Sequence, residues 1–273
     1  MKKYQYPLLL ALFAVLGLGL ALFQTSTAVA HKSNGLKYEI KASNGRLIRK
    51  VTGPVTDDID GIPAAPVDSF IWNGEGIQAV KGRVRVKIDP VSNTGKITAS
   101  WRDPEGNRWE YKQTVFTAPE HPTGLIIGPG AGDTTFVVDD PVVTNVYLHG
   151  NTTAGAPVLP TDFNLLATWG PAEVKLNGQP FVNKYGGPAP LWAGHTMLTV
   201  GLRNEDGQVL ANEDGTIYNP MLSDQGVTYD DQIEFHLVFD APPMAPDSGN
   251  IPPLSFFYHV TFVDVDLEIE GNR

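Results

Sequence analysis

The chain contains no cysteine. Disulfides, thiol nucleophiles and thiolate-bound metal are excluded together, and packing must hold the fold. Charge is also scarce: 18% of the 273 residues are Asp, Glu, Lys or Arg, below the roughly 25% usual in globular domains. Bases are the rarer sign, with 20 Lys and Arg against 30 Asp and Glu, a net charge of −10. That balance argues against nucleic acid or an anionic membrane surface as a partner. No amphipathic helix pattern occurs after residue 30. Serine never sits in a nucleophile-elbow sequence, and Gly128-Pro129-Gly130-Ala131-Gly132 lacks the Lys-Ser/Thr of a phosphate loop.

One long apolar run is present, at 8–23, after Lys2 and Lys3 and before the small residues Ala28-Val29-Ala30. This is the pattern of a secretory signal peptide over 1–30. The run has 16 residues, against the roughly 20 of a membrane-spanning helix. The expectation is a secreted or periplasmic, extracytoplasmic protein with no membrane insertion after cleavage.

Glycine (28) and proline (22) punctuate short segments of period-two alternation. This reads as an all-β protein, an antiparallel β-sandwich or jelly roll, either as one body or as two packed β subdomains. The expected units are 31–132, a hairpin plus a meander, and 133–273, continuous with the first. The hairpin joins 36–41 to 46–52 at Ser43-Asn44-Gly45. The meander joins Arg83-Val84-Arg85-Val86-Lys87-Ile88, 96–101 and 108–116 through turns at Asn93-Thr94-Gly95 and 103–107. Its exposed Arg, Lys and Glu read as ordinary surface. Further strands are expected at 134–138, 142–149, 163–169, 173–176, 192–202, 232–240 and 255–269. Acidic turns at 57–61, 204–207 and 212–215 lack the ligand spacing of a calcium loop.

Four of those strands carry one histidine each: His149, His195, His236 and His259. Each falls on the less apolar face of its strand. His195 shares its face with Met197 and Thr199, and His236 shares its face with Glu234. If the strands are neighbours, these imidazoles can hold zinc or copper, with Glu234 or Glu173 adding a carboxylate. If the face is solvated, scattered histidines need no ligand. Cleavage after Ala30 would also make His31 an N-terminal histidine, whose amine and ring can chelate copper. With a second histidine, His195 after Ala193-Gly194, this resembles the histidine brace of secreted copper monooxygenases, which are β-sandwiches. The resemblance covers those two positions only. Trp169 and Trp192 stand at strand ends beside turns and are the candidate rim of a ligand site.

The resulting expectation is non-catalytic binding of a small molecule, a glycan or a metal ion. The alternative is an exported metal-dependent enzyme with histidine-ligated zinc or copper, oxidoreductase-like.

Overall fold

Strict alternation makes a strand bury one face. In the computed structural model, eight strands do so around a closed ring. They are β1 (Lys37–Thr52), β2 (Gln78–Asp89), β3 (Thr94–Arg102), β4 (Arg108–Gln113), β5 (Thr161–Leu176), β6 (Trp192–Val200), β7 (Ile233–Ala241) and β8 (Phe256–Glu270). The structure describes residues 35–52, 58–59, 62–63, 67–70, 78–118, 123–128, 132–137, 140–148, 161–182, 191–200, 227–228, 233–241 and 256–271. The leader, His31, Trp72, His149 and the acidic turns at 204–215 lie outside them.

Each strand pairs antiparallel with the next in sequence, and β8 returns to pair with β1. This is an up-and-down β-barrel, which corrects the sandwich or jelly-roll expectation. A sandwich has two sheets; here β4–β5 and β1–β8 pairing join all eight strands into one ring. Barrel and sandwich strands share the same period-two signature, so alternation could not separate the two. Two packed subdomains are excluded as well, because β1–β4 and β5–β8 complete each other's ring. The described residues contain no helix. Short strands attach outside: Val67–Phe70 on β1, and Val142–Val143 and Val146–Leu148 on the N-terminal half of β5.

An eight-stranded barrel encloses a space that side chains can fill, and here they fill it. Ile40, Val84, Val86, Ile97, Leu198, Phe235, Leu237, Val260 and Phe262 are each 0–1% exposed. Between them lies an aromatic stack. Trp101 and Trp109 are parallel at 6.2 Å, and Phe239 and Tyr258 at 5.1 Å. Phe181, just after β5, lies flat on Trp192 at 4.9 Å and edge-on to Trp109 at 4.9 Å. Several buried polar tips are matched: Trp101 Nε1 donates to Tyr258 Oη (3.1 Å), Trp109 Nε1 to Asp103 Oδ2 (2.8 Å) and Tyr111 Oη to Gln113 Oε1 (2.8 Å), while Gln113 Nε2 has no partner among the described residues. Glycine supplies the room for Tyr111, since a Cβ at Gly194 would strike its hydroxyl.

Three local expectations change or hold. The N-terminal hairpin does not form. β1 runs straight through Ser43-Asn44-Gly45, with Asn44 at φ 52° and a register shift against β2 between Ser43 and Gly45. A turn signal inside a strand here marks an irregularity, and a Cβ on Gly45 would lie 2.6 Å from Val80 and 2.9 Å from the Thr261 carbonyl. The segments 163–169 and 173–176 are one strand, β5, with Gly170 at φ 144° in its middle. There β5 changes neighbours: Trp169 N–H donates to the Pro141 carbonyl (3.0 Å), while its own carbonyl accepts from Thr117 N–H (3.1 Å). The meander of β2–β4 is present with the expected turns. In the second turn, burial pushes the Asp103 carboxyl up, but hydrogen bonds from Trp109 and Asn107 outweigh it and hold its pKa below the usual value.

Trp109→Ala, which empties the centre of the stack, is expected to cost about 3–5 kcal/mol of stability in urea denaturation. Trp109→Phe keeps a ring but strips Asp103 of a donor, and should cost roughly 1–3 kcal/mol. Equal effects of the two would show that the bond to Asp103, rather than the ring, carries the stability.

Candidate functional site

Because Leu198, Phe235, Leu237, Phe239, Tyr258 and Val260 point inward, their neighbours on β6, β7 and β8 point out of the barrel. The register makes two rows across those strands: His195–Val238–His259 and Met197–His236–Thr261. The three described histidines therefore share one outer face on adjacent strands. That face is not solvated. Asp162, Asn164, Thr199, Glu234, His236, His259 and Thr261 are each 0–1% exposed.

Inside this buried layer the polar groups form a chain. His236 Nδ1 lies 2.9 Å from His259 Nε2. His236 Nε2 lies 3.1 Å from Thr199 Oγ1 and 3.3 Å from Glu234 Oε2, which also accepts from Thr261 Oγ1 at 3.3 Å. A proton on His236 Nε2 would serve both Thr199 Oγ1 and Glu234 Oε2 and leave Nδ1 to accept from His259 Nε2–H. A carboxylate behind one imidazole nitrogen also orients a metal ligand. Among the described residues, however, no three histidines or carboxylates gather to hold an ion.

Asp162 shares this face. Asn164 Nδ2 donates to its Oδ2 (2.9 Å), but Asp162 Oδ1 and Asn164 Oδ1 find no partner among the described residues. Burial holds the Asp162 pKa well above the usual carboxylate range, against the hydrogen bond from Asn164.

The other candidates separate. His195 stacks on Trp169, its cross-strand partner, at 4.7 Å and 13°. Its Nδ1 lies 3.0 Å from the Thr168 carbonyl. The ring is only partly accessible, and its desolvation lowers the pKa to about 4 although the Thr168 carbonyl opposes the shift. Trp169 is partly exposed, whereas Trp192 is 1% exposed inside the barrel, with Nε1 donating to the Phe181 carbonyl (3.1 Å). Of the two rim candidates only Trp169 reaches the surface. Glu173 pairs with Lys112 at 2.8 Å, on a different part of the barrel from Glu234.

A second face, which the sequence reading treated as ordinary surface, lies on the outside of β1–β5. Lys81, Arg83, Arg85 and Lys87 alternate along β2, and β1 brings Lys37 and Lys41. Lys96 and Arg102 come from β3, Arg108 and Lys112 from β4, and Lys175 from β5. All eleven are exposed, and the carboxylates among them are Glu39, Glu110, Glu173 and Asp89 at the rim, a local charge of +7. Three ion pairs form there, Lys87–Glu39 (3.1 Å), Arg108–Glu110 (2.8 Å) and Lys112–Glu173 (2.8 Å). The other eight bases form no ion pair among the described residues, although Lys175 acts on neighbouring Glu173, and Lys41 and Lys37 stand opposite Asp266 and Glu270. An open groove of about 340 Å³ runs between these side chains, with Thr98 and Ser100 at its floor. The sequence signal was the repeated base at alternate positions of β2. Its clustering depends on cross-strand register, which local spacing does not contain.

No protein-family model, curated protein or solved structure matches this chain.

Two measurements probe the buried and stacked groups. Asp162→Asn is expected to raise the urea midpoint at neutral pH, because the native carboxyl resists ionisation that the unfolded chain permits. Since the folded pKa is the higher one, the advantage should shrink as pH falls. The sign is opposite for His195. Its folded pKa of about 4 lies below the unfolded value, so its contribution is complete above the unfolded pKa and is lost as pH falls towards 4. Urea midpoints should therefore decline less steeply from about pH 7 to about pH 4 in His195→Phe than in the unaltered protein.

Proposed function

We propose that this chain is an exported, non-catalytic binding protein that takes a glycan on the outside of its barrel. The observation that supports this most is the filled interior. An eight-stranded barrel can hold one small ligand only if side chains leave it room, and here Trp101, Trp109, Trp192, Phe239 and Tyr258 occupy the lumen. An apolar small molecule then has no place inside. The outer surface offers an open groove across β2–β5 lined by charged and hydroxyl-bearing side chains and the partly exposed Trp169, features suited to hydroxyl-rich ligands.

The alternative, a histidine-ligated zinc or copper in an exported oxidoreductase, draws on the His236–His259 pair, whose facing nitrogens are 2.9 Å apart with Glu234 behind. One set of experiments separates the readings. In the leading reading an apolar fluorescent probe finds no saturable site on the native protein, a panel of soluble polysaccharides yields a binder by titration calorimetry, and purified protein carries well under one equivalent of zinc or copper. A full equivalent of metal that disappears in His236→Ala would transfer the function to the histidine pair. A saturable apolar site would return it to the lumen.

A further inference from the structure

We infer that the exposed face of β1–β5 docks an acidic polysaccharide, a glycan carrying carboxylate or sulfate groups; this rests on the glycan reading above and names its ligand class. The charge distribution is the starting point. The chain as a whole is at −10, yet eleven of its 20 Lys and Arg are gathered on one side of the barrel. Scattered bases would sit among the more numerous acids and be neutralised. These are segregated instead, and a segregated basic field concentrates anionic ligands even on an acidic protein.

Geometry then narrows the anion. On a strand, alternate side chains on one face recur about every 6.6–6.8 Å, and neighbouring strands lie about 4.8 Å apart. Arg83 and Arg85 are thus successive outward positions on β2, with Ser100 and Thr98 opposite them on β3 and Glu110 and Lys112 beyond on β4. The result is a two-dimensional array in which Arg83, Arg85 and Lys112 surround the hydroxyls of Ser100 and Thr98, with the one carboxylate, Glu110, held by Arg108; it matches a chain with both charges and hydroxyls at regular intervals. Arg83 and Arg85 are exposed and unpaired among the described residues, so their guanidinium forks are available for bidentate contact with carboxylate or sulfate.

Other polyanions fit less well. Single-stranded nucleic acid is held by aromatic side chains on which bases stack, and the outward residues of β2–β4 include no aromatic ring. A membrane-surface site adds apolar side chains that enter the headgroup region, and this face presents Thr98, Ser100 and charged residues instead. A second copy of the chain has an acidic row to offer, Asp264, Asp266, Glu268 and Glu270 on β8. That row already flanks the basic face, with Asp266 opposite Lys41 and Glu270 opposite Lys37.

The test uses the full mature protein with labelled polygalacturonate and dextran sulfate, neutral dextran of matched length, a short DNA duplex and phosphatidylglycerol vesicles. The acidic polysaccharides should bind, neutral dextran should not, and affinity should fall as salt rises. Arg83→Glu with Arg85→Glu should weaken binding by at least about tenfold with an unchanged melting temperature, while the double lysine variant, which keeps the charge and loses the fork, should weaken it less. Equal binding of dextran and the acidic polysaccharides, indifferent to Arg83→Glu/Arg85→Glu, would overturn the inference and leave the glycan reading standing. Failure of every polysaccharide, whatever its charge, would remove both. Tighter binding to the duplex or the vesicles, or self-association abolished by the glutamate variant, would overturn the acidic-polysaccharide assignment.

Discussion

Closure of eight strands into a ring is the constraint from which the rest follows. A ring of this size has a lumen about one layer of side chains deep from each wall, so every inward position is core and every outward position must find another fate. The inward set is met by an aromatic stack whose indole and phenol tips bond to one another and to Asp103. Tyr111 fits only because Gly194 lies opposite its hydroxyl. A lumen so occupied leaves little room for a ligand, which is why the proposed binding surface is the outer wall.

That wall is divided. On β1–β4 and the C-terminal half of β5 it is exposed and basic; on β6, β7, the start of β8 and the N-terminal half of β5 it is largely buried and polar; and further along β8 Asp264, Asp266, Glu268 and Glu270 make an exposed acidic row. The buried half costs desolvation, and the described hydrogen bonds offset part of it: Thr199, Glu234, His236, His259 and Thr261 satisfy one another, whereas Asp162 and Asn164 each keep an oxygen without a partner among the described residues. The division coincides with Gly170-Pro171. Before it β5 pairs with Val142–Val143 and Val146–Leu148 on one side; after it, with β4.

Much of this was legible in the sequence because side-chain alternation is local. Val84, Val86 and Ile88 announce an inward face, Arg83, Arg85 and Lys87 an outward one, and the phases of His195, His236 and His259 were readable from their neighbours. What alternation does not encode is which strands become partners. The ring instead of a sandwich, the 2.9 Å approach of His236 to His259, and the meeting of Arg85 with Lys112 across Thr98 all depend on register between distant segments. Two punctuation signals also misled: Asn44-Gly45 and Gly170-Pro171 carry turn chemistry, yet both lie within strands that other strands hold extended on either side.

The pairing of the first ring strand with the last has a consequence for how the molecule comes into being. Lys37 is the cross-strand partner of Glu270 and Thr52 that of Phe256, so the seam joins segments from opposite ends of the chain. Local hairpins such as β2–β3–β4 need only short loops, but the seam must wait until β8 exists and must close a loop of nearly the whole protein. Until then β1 and β8 are open edges, the form in which sheets join to the wrong neighbour. Their outward side chains bear on that interval: Lys37 and Lys41 on one edge repel copies of themselves, as do Asp264, Asp266, Glu268 and Glu270 on the other, while Lys41 against Asp266 and Lys37 against Glu270 attract across the seam, with Glu39 facing Glu268 between them. The same charges that border the finished surface discourage pairing of like edges and favour the joining of β1 to β8.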